Sequence, residues 1–569
     1  MGKADTTNVM PLGDLQDCIT LPLERVFTQT IQVGSYVMAA GHLRREGGTI
    51  GLLYASLGAI VGSGWLFGPL HAAQQAGPLS LGSWAVGAVA ILLLALVYAE
   101  LGPMIPRSGS IVHISHLGNG PLLGRIWSWI LFFSYVSIAP VEVTAVLTYA
   151  NNYLPGFLAG EAGVLSGRGF VVAILLLGVF VLLNFLVIRW VLLLNSAATW
   201  WKLIIPAATI FVLLGFSWHP ENLQLHHSQG DLEGMFTAVA SAGIIFSFFG
   251  FRQAIDLAGE SRNPGRSIPI AVIGSVLIGT MLYEGLQFAF LMAVNPADLA
   301  HGGWSHLAFT GLTGPFAALA AAVGAAWWGV ILYVDALVSP AGTAFIYTTS
   351  SARITMAVGE MGSAPRGLAR INGSGVPWIA LLAVYAVGAL FFFPFPSWQK
   401  LVGYISSVTV LSYSLGPIVL LQLRRAMPDA VRPFRLRGAE ILAPAAFVVA
   451  NWIIFWAGLD TLSFTFIALG ILMVVFLVYH YFLAKERRAQ SLGWRYAWWV
   501  LPYFAGLWIC SYLGPQNLGG RGLLPFFWDM AILAVFSLVI LLVALRTTVA
   551  DQVMRDYVEN LNAVPEAAP

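Results

Sequence analysis

The sequence predicts an all-α integral membrane protein, and three observations lead to that prediction. Hydrophobic residues make up 58% of the 569 positions and charged residues only 9%, a balance too apolar for a water-soluble fold. Apolar windows of about twenty residues, long enough to cross a bilayer, recur along the whole length. Two of these windows contain a glycine-bearing interruption, at residues 62–64 and 246–251, at matching places in two halves of the chain.

The apolar windows predict about fourteen transmembrane helices of about twenty residues each. The predicted centres are Gly58, Leu92, Tyr135, Phe180, Ile205, Ile245, Ile278, Val323, Val384, Ser412, Val449, Met473, Ala505 and Phe536. The first five spans fill residues 49–216 and the next five fill residues 235–424, with the loop 217–234 between them. Because five is odd, the second set enters the membrane upside down relative to the first, which predicts an inverted repeat. The last four spans, in residues 425–546, are interpreted as accessory helices for packing or dimerisation, so a monomer or a homodimer is expected.

The distribution of Lys and Arg predicts the orientation. Of 28 such residues, three fall in loops on one side of the membrane, namely Arg168, Lys400 and Arg521. Lys202 and Arg252 fall within spans, and all the others lie on the opposite side. The positive-inside rule therefore places both termini in the cytoplasm. The expected location is the plasma (inner) membrane.

Residues 1–48 and 547–569 are predicted to be cytoplasmic tails. The first forty-odd residues contain no apolar core long enough for a signal peptide, and Met38, ahead of the first span, is an alternative start. Cys18 lies in the tail and Cys510 in a span, so the sequence indicates neither a disulfide nor a redox motif. We find no nucleotide-binding glycine loop, catalytic triad, metal-ligand cluster or basic run suited to nucleic acid. The sequence thus indicates no enzyme, no cofactor, no metal and no nucleic-acid partner.

The interruption at residues 62–64 predicts a site for a carboxylate. Glycine leaves helical geometry at low cost, and a helix broken in lipid must bury its freed N–H and C=O groups in protein or in a wet cavity. N–H groups at the start of the following half-helix can bind a carboxylate, to which the Ser63 hydroxyl adds. In the second interruption, carbonyls freed near Phe246 and Phe249 can accept from an ammonium. Together they suit an α-amino acid, and the matched positions favour this interpretation over a close helix–helix contact through small residues.

Four stretches of the chain resemble the amino acid–polyamine–organocation family. They are residues 58–65, 100–109, 250–264 and 350–353, which follow one another in the family's order. The resemblance implies the five-plus-five inverted-repeat (LeuT-like) fold with helices 1 and 6 broken mid-membrane, and a secondary transporter that works by alternating access. The overall character is similar to the family's bacterial aspartate:proton symporter branch.

The resemblance also implies roles for single residues at the two interruptions. Ser63 and Gly64 match positions that hold the substrate carboxylate. The carbonyls of Ile60, Phe246 and Phe249 match those that hold the amine. Phe246 also matches an aromatic residue that closes over the occluded substrate.

Two basic side chains within spans are candidates for substrate choice and proton coupling, because a charge in a membrane segment is costly. Arg252, just beyond the second interruption, can pair with a side-chain carboxylate, which favours aspartate or glutamate as substrate. The alternative is a structural ion pair of Arg252 with Glu142 or Asp335. Lys202 can gain and lose a proton because burial disfavours its charged form, whereas a snorkelling lysine is the alternative.

Proton-driven members of the family carry a lysine at the place of Lys202. The resemblance implies that its ammonium contacts the carbonyls of Gly58 and Val61 and, on span eight, the hydroxyl of Ser339. Asp335 lies four residues before Ser339 and therefore on the same helical face, where it is expected to tune Lys202 or line the path.

Four further side chains have expected places. Glu142 on span three is predicted to face the interior, where it binds the amine, couples a proton or pairs with Arg252. Glu100 and Glu260, at predicted cytoplasmic ends, are expected to hold the inner gate closed. Trp398, near the start of span ten, is expected to be an interfacial aromatic residue.

These features predict a proton-coupled symporter of an acidic amino acid, with an amino acid, a proton and the lipid bilayer as partners. A carrier of neutral or cationic amino acids, or an exchanger, is the alternative within transport, with Arg252 serving the structure. An amino acid sensor that binds without transporting is the alternative of another class.

Overall fold

The computed structural model describes residues 47–107, 109–159, 164–185, 188–224, 232–300, 302–309, 314–373, 375–393, 398–478, 480, 482 and 492–563. The expectations for Met38, for Cys18 and for nearly all of the tail 1–48 lie outside these residues. The described chain is overwhelmingly helical, with one antiparallel pair of two-residue strands, β1 (Leu158–Ala159) and β2 (Val164–Leu165).

The helices fall into three groups along the chain. The first group is α1 (Thr49–Ile60), α2 (Gly64–Ala76), α3 (Ser80–Met104), α4 (Ser110–Ser115), α5 (Gly120–Val136), α6 (Ile138–Ala150), α7 (Gly167–Leu183) and α8 (Ile188–Phe216). The second is α9 (Leu232–Ser241), α10 (Ile244–Ser247), α11 (Gln253–Asp256), α12 (Pro264–Ala293), α13 (Pro315–Ala322), α14 (Ala326–Glu360), α15 (Trp378–Leu390) and α16 (Trp398–Ala426). The third is α17 (Ala439–Trp456), α18 (Leu459–Val478), α19 (Trp494–Ala497), α20 (Val500–Leu513), α21 (Phe526–Arg546) and α22 (Asp551–Ala563). Short 3₁₀ turns join them at Gly77–Leu79, Pro220–Leu223, Ala258–Glu260, Pro296–Leu299, Trp304–His306, Arg366–Ala369 and Gln516–Leu518.

Nine helical stretches within the described ranges are long and apolar enough to cross a membrane. One of them, Gly64–Met104, runs through α2 and α3, and α1, α7 and α15 are shorter apolar helices. The protein is therefore a multi-pass helical membrane protein, while the count of about fourteen spans remains a prediction.

The predicted centre of the eighth span is wrong. Val323 is the first residue after α13, which ends at Ala322, and the long helix is α14, which begins at Ala326. The hydropathy of the sequence peaks in the alanine-rich stretch around Val323. The middle of α14 instead carries buried hydroxyl groups, among them Ser339, Thr343 and Thr348, on a face that points into the protein. These polar groups lower the hydropathy of the helix.

The two interrupted helices lie against each other in the middle of the fold. Helix α12 packs along α1 and α3, α14 packs along α6, and α11 packs on α1. Gly250 has φ +114°, and a Cβ there would stand 2.7 Å from the carbonyl carbon of Ala59 and from the nitrogen of Ile60. Only glycine allows this backbone conformation and approach, so the two interruptions meet backbone to backbone.

The accessory helices are joined to one another by buried polar contacts. The Tyr503 hydroxyl of α20 donates to Asn451 Oδ1 of α17 at 2.7 Å, and Asn451 Nδ2 donates to Ser537 Oγ of α21 at 2.8 Å. Helix α17 also packs on α16 and α3. These contacts fit the interpretation of residues 425–546 as packing helices.

The segment predicted as a polar C-terminal tail contains a helix, α22, that docks on the loops of the predicted cytoplasmic side. Arg107, after α3, donates to the Leu561 carbonyl at 3.0 and 2.6 Å. Arg555 Nε donates to the Ala426 carbonyl at the end of α16 at 2.7 Å. The tail is polar in sequence because this helix buries only one face, which includes Tyr557.

Candidate substrate and coupling site

The first interruption separates α1, which ends at Ile60, from α2, which begins at Gly64. The backbone N–H of Ser63 donates to Glu142 Oε2 at 2.9 Å. A Cβ placed on Gly62 would stand 3.0 Å from Glu142 Cδ and 3.0 Å from Thr343 Oγ1, so the carboxylate closes tightly over the interruption. The Ser63 N–H, which the sequence predicts to bind the carboxylate of a substrate, therefore donates to a carboxylate of the protein itself.

Lys202 lies behind the same interruption and is 0% exposed. Its Nζ donates to the Gly58 carbonyl at 2.5 Å and to Thr343 Oγ1 at 2.7 Å. Thr343 Oγ1 in turn lies 3.1 Å from the Gly58 carbonyl and 3.3 Å from the Val61 carbonyl. The alternative of a snorkelling lysine is thus wrong, since the ammonium is enclosed by the protein.

The expectation that Ser339 contacts Lys202 is also wrong. Ser339 Oγ donates to Asp335 Oδ1 at 2.8 Å, and the hydroxyl next to Lys202 belongs to Thr343. Sequence reasoning missed Thr343, although it lies four residues after Ser339 on the same helical face. Asp335 is fully buried and lies close enough to attract Lys202 electrostatically.

The second interruption is longer than the sequence predicts. Helix α9 ends at Ser241, Gly243 follows with φ +85°, and the single turn α10 is separated from α11 by residues 248–252. The hydroxyl of Tyr283, on α12, donates to the Ile60 carbonyl at 2.9 Å and to the Ser247 carbonyl at 3.0 Å. Tyr283 thereby joins the two interruptions. The sequence around Tyr283 in span seven contains no signal for this role.

Aromatic rings cover the interruptions on the predicted extracellular side. Phe246 is buried, with its ring 5.8 Å from that of Phe249 and 6.0 Å from that of Trp398. The indole N–H of Trp398 donates to Ser63 Oγ at 2.9 Å, and its ring lies 4.6 Å from that of Phe67. The expectation that Trp398 is interfacial is wrong, because α16 begins directly above the first interruption.

Arg252 is the last residue of the second interruption, and its buried side chain lies toward the predicted cytoplasmic side. Its guanidinium lies 4.0 Å from the ring centre of Tyr413, and its Nη2 donates to Ser412 Oγ at 2.9 Å. Among the described residues, neither Glu142 nor Asp335 comes within ion-pair distance of it. Both ion-pair alternatives for Arg252 are therefore wrong, as is the pairing expected of Glu142.

The two predicted inner-gate acids have different partners. Glu260 Oε1 lies 2.7 Å from Arg353 Nη2, which joins the segment after α11 to α14. Glu100 accepts from Arg424 Nη2 at 2.7 Å and from the backbone N–H of Leu436 at 2.7 Å. Glu260 thus links the interrupted helix to the long helix α14, whereas Glu100 anchors the loop between α16 and α17 to α3.

Replacing Trp398 is expected to weaken substrate binding. Trp398→Phe keeps a ring over Phe67 but removes the hydrogen bond to Ser63, which predicts an affinity loss of about fivefold. Trp398→Ala also removes the ring and is expected to lose about a further factor of ten. Equilibrium binding to purified protein measures both, with Trp218→Phe as the control because Trp218 is 56% exposed. Unchanged affinity in both Trp398 variants would show that this ring does not cover the bound substrate.

A multi-pass helical protein whose interrupted helices enclose a buried acid and a buried lysine belongs to the class of membrane solute carriers. The chain belongs to the amino acid permease family, whose model matches residues 48–547. This confirms the resemblance to the amino acid–polyamine–organocation family. The chain is accordingly a transport protein and not an enzyme.

Curated relatives have similar lengths and carry the names of transporters. The chain is 37% identical to the glutamate/serine transporter AimA of Bacillus subtilis, over 92% of this chain and 99% of the relative. It is 31% identical to the aspartate-proton symporter of the same organism, over 88% and 96%. It is 26% identical to the branched-chain amino acid permease BcaP, over 77% and 93%.

Proposed function

We propose that this amino acid permease is a proton-coupled symporter of an acidic amino acid, working by alternating access in the plasma membrane with both termini in the cytoplasm. The observation that carries the proposal is the hydrogen bond from the Ser63 N–H to Glu142, with the Lys202 ammonium on the other side of the same interruption. The names of two relatives, a glutamate/serine transporter and an aspartate-proton symporter, support both the substrate class and the proton.

Competition for one set of N–H groups explains how a proton would be coupled to the substrate. The N-terminal end of α2 attracts a carboxylate, and Glu142 already occupies it. A substrate carboxylate that arrives there meets a second negative charge at close range, unless Glu142 takes up a proton. Proton binding therefore favours substrate binding, and by linkage the substrate favours proton binding to the same extent.

Lys202 sets the charge of this region. Its ammonium attracts Glu142 electrostatically and holds the Gly58 carbonyl, so the acid and the lysine share one electrostatic environment around the interruption. When Glu142 is protonated and the substrate carboxylate is bound, the charge next to Lys202 is the same as before. The loaded site is then no more costly to bury than the empty one, which favours movement of substrate and proton together.

The alternating-access movement is the one that the family resemblance implies. Helices α1 to α3 and α9 to α12 form the moving bundle, and α5 to α7, α14 and α15 form its frame. Opening toward the cytoplasm separates Glu260 from Arg353, whose ion pair joins bundle and frame. Opening toward the outside lifts Trp398 and Phe246 from the interruptions.

A broader substrate range is the alternative within the family. The name of one relative includes serine, and Tyr413 stands between Arg252 and Phe249 at the interruption. A site without Arg252 would select the α-amino and α-carboxyl groups alone. A sensor that binds without transporting would show binding but no flux.

Transport in liposomes tests the proposal. We expect radiolabelled aspartate to accumulate above its external concentration when the pH gradient is inward, and unlabelled glutamate to compete. Neutral and cationic amino acids should compete weakly. Competition by neutral amino acids instead would favour the broader carrier, uptake indifferent to the gradient would favour an exchanger, and binding without flux would favour a sensor.

A further inference from the structure

The two interruptions with Glu142 and Lys202 form what we call the central site, and a buried polar cluster lies next to it on the predicted cytoplasmic side. We call this cluster the inner cluster. Its side chains come from the second interruption and from helices α3, α5, α11, α14 and α16. They are Arg252, Gln253, Asp256, Tyr98, Tyr135, Tyr347 and Tyr413, all buried.

Several polar atoms of the inner cluster have no hydrogen-bond partner among the described residues. They are Nε and Nη1 of Arg252, Nε2 of Gln253 and Oδ1 of Asp256. The other oxygen of Asp256 accepts from the Tyr135 hydroxyl, and no ion pair forms between Asp256 and Arg252 within this part of the chain. Buried polar groups are nearly always partnered, so this concentration of unpartnered atoms requires an explanation.

Arg353, which is buried, and Arg424, which is partly buried, show how the fold treats a guanidinium that serves the structure. Arg353 contacts the Glu260 carboxylate at 2.7 Å, and Arg424 contacts the Glu100 carboxylate at 2.7 Å. Arg252 is held instead by the rings of Tyr413, Tyr98 and Tyr135, at 4.0, 5.3 and 5.6 Å from the ring centres. Ring faces stabilise the cation without a counter-charge, and Nη2 donates to Ser412 Oγ.

We propose that the inner cluster is a second binding site for the substrate, which takes the side-chain carboxylate of an acidic amino acid on its way to the cytoplasm. This inference rests on the proposed function, since only an acidic substrate carries that carboxylate. Nε or Nη1 of Arg252, together with the second N–H of Nη2, can hold a carboxylate with two hydrogen bonds, and Gln253 Nε2 adds a third donor. The free oxygen of Asp256 is an acceptor for the substrate ammonium.

The inner cluster is separated from the central site by aromatic rings. Tyr413 carries Arg252 on its face, and the Phe249 ring stands edge-on to Tyr413 at 5.8 Å. Hydrogen bonds at the cluster itself, from Ser350 to Gln253 and from Tyr135 to Asp256, keep the path closed. A substrate therefore reaches Arg252 after it passes Phe249 and before these bonds open.

Transport measured separately from each face of oriented proteoliposomes tests the second site. Arg252→Lys keeps the charge but loses the fork, and we expect it to raise the half-saturation concentration for aspartate at the cytoplasmic face by about tenfold. At the outer face, where substrate meets the central site first, the change should stay below about twofold. Serine, which has no side-chain carboxylate, should show no change at either face wherever it is transported.

Controls separate this inference from folding and from the proposed function. Arg168→Lys is the matched control, because Arg168 also lies over a ring, that of Phe157, but at the exposed start of α7 on the opposite side. Gln253→Leu provides a second variant. It should also raise the half-saturation concentration for aspartate at the cytoplasmic face, by a smaller factor. Equal shifts at both faces would place Arg252 in the central site, and no shift in either variant would make the cluster structural. A wild-type protein that fails to transport aspartate would instead overturn the proposed function.

Discussion

Lys202→Met is expected to abolish the accumulation of substrate against its gradient, while exchange of substrate across the membrane continues. The ammonium is 0% exposed and is held by the Gly58 carbonyl and Thr343 Oγ1. Methionine is of similar length and apolar, so it fills the space without leaving an unpaired charge. Thr343 remains 3.1 Å from the Gly58 carbonyl and still donates to it, so the interruption keeps a hydrogen bond and the fold survives.

The loss of accumulation follows from the charge that Lys202 contributes. Without it, Glu142 faces the N-terminal end of α2 with no cation nearby and stays protonated over a wide pH range. A group that is always protonated carries no free energy from the pH gradient to the substrate. The ratio of internal to external substrate should then fall to about one, whatever the gradient.

Uptake and counterflow in the same proteoliposomes distinguish coupling from general damage. Lys202→Met should show counterflow within about tenfold of the wild-type rate, since the substrate contacts are kept. Lys400→Met, at the exposed start of α16 on the predicted extracellular side, is the matched control and should accumulate substrate normally. Accumulation that still follows the pH gradient in Lys202→Met would remove Lys202 from the coupling role.

Sequence reasoning found the interruptions because their causes are local. Glycine at residues 62 and 64, within an apolar window, indicates a broken helix, and this indication does not depend on contacts with distant parts of the chain. Lys202 was equally accessible, since a lysine in a span is costly and must have partners. Its contact with the Gly58 carbonyl agrees with the contact that the family resemblance implied.

The parts that sequence reasoning missed depend on contacts between distant segments. Ser339 and Thr343 lie on the same buried face of α14, so which of them reaches Lys202 depends on the position of α14 along its own axis, which a hydropathy pattern does not determine. Trp398 looks like an interfacial residue in sequence, because its place above Ser63 depends on where α16 begins in space. Tyr283 ties the two interruptions together from α12, 223 positions from the Ile60 carbonyl that it contacts.

Replacing Glu142 by glutamine is expected to remove the pH dependence of substrate binding. In the wild-type protein, affinity should fall as the pH rises, because ionised Glu142 competes with the substrate carboxylate for the N-terminal end of α2. Coupling to a single proton limits this fall to about tenfold per pH unit. Glutamine has the shape of the protonated acid and can still accept from the Ser63 N–H, so the variant should hold the affinity that the wild type reaches at low pH.

The same substitution is expected to stop uphill transport, because the neutral amide cannot carry a proton. Equilibrium binding across the pH range, followed by gradient-driven uptake, measures both effects on one preparation. Glu284→Gln is the matched control, since Glu284 is also an acid within a membrane helix, α12, and contributes to neither interruption. If Glu142→Gln retained the wild-type pH dependence, the coupled proton would lie on another group, and Asp335 beside Lys202 would be the next to replace. If only the uptake were lost while the binding stayed pH-dependent, Glu142 would serve the movement of the helices rather than the exchange of the proton.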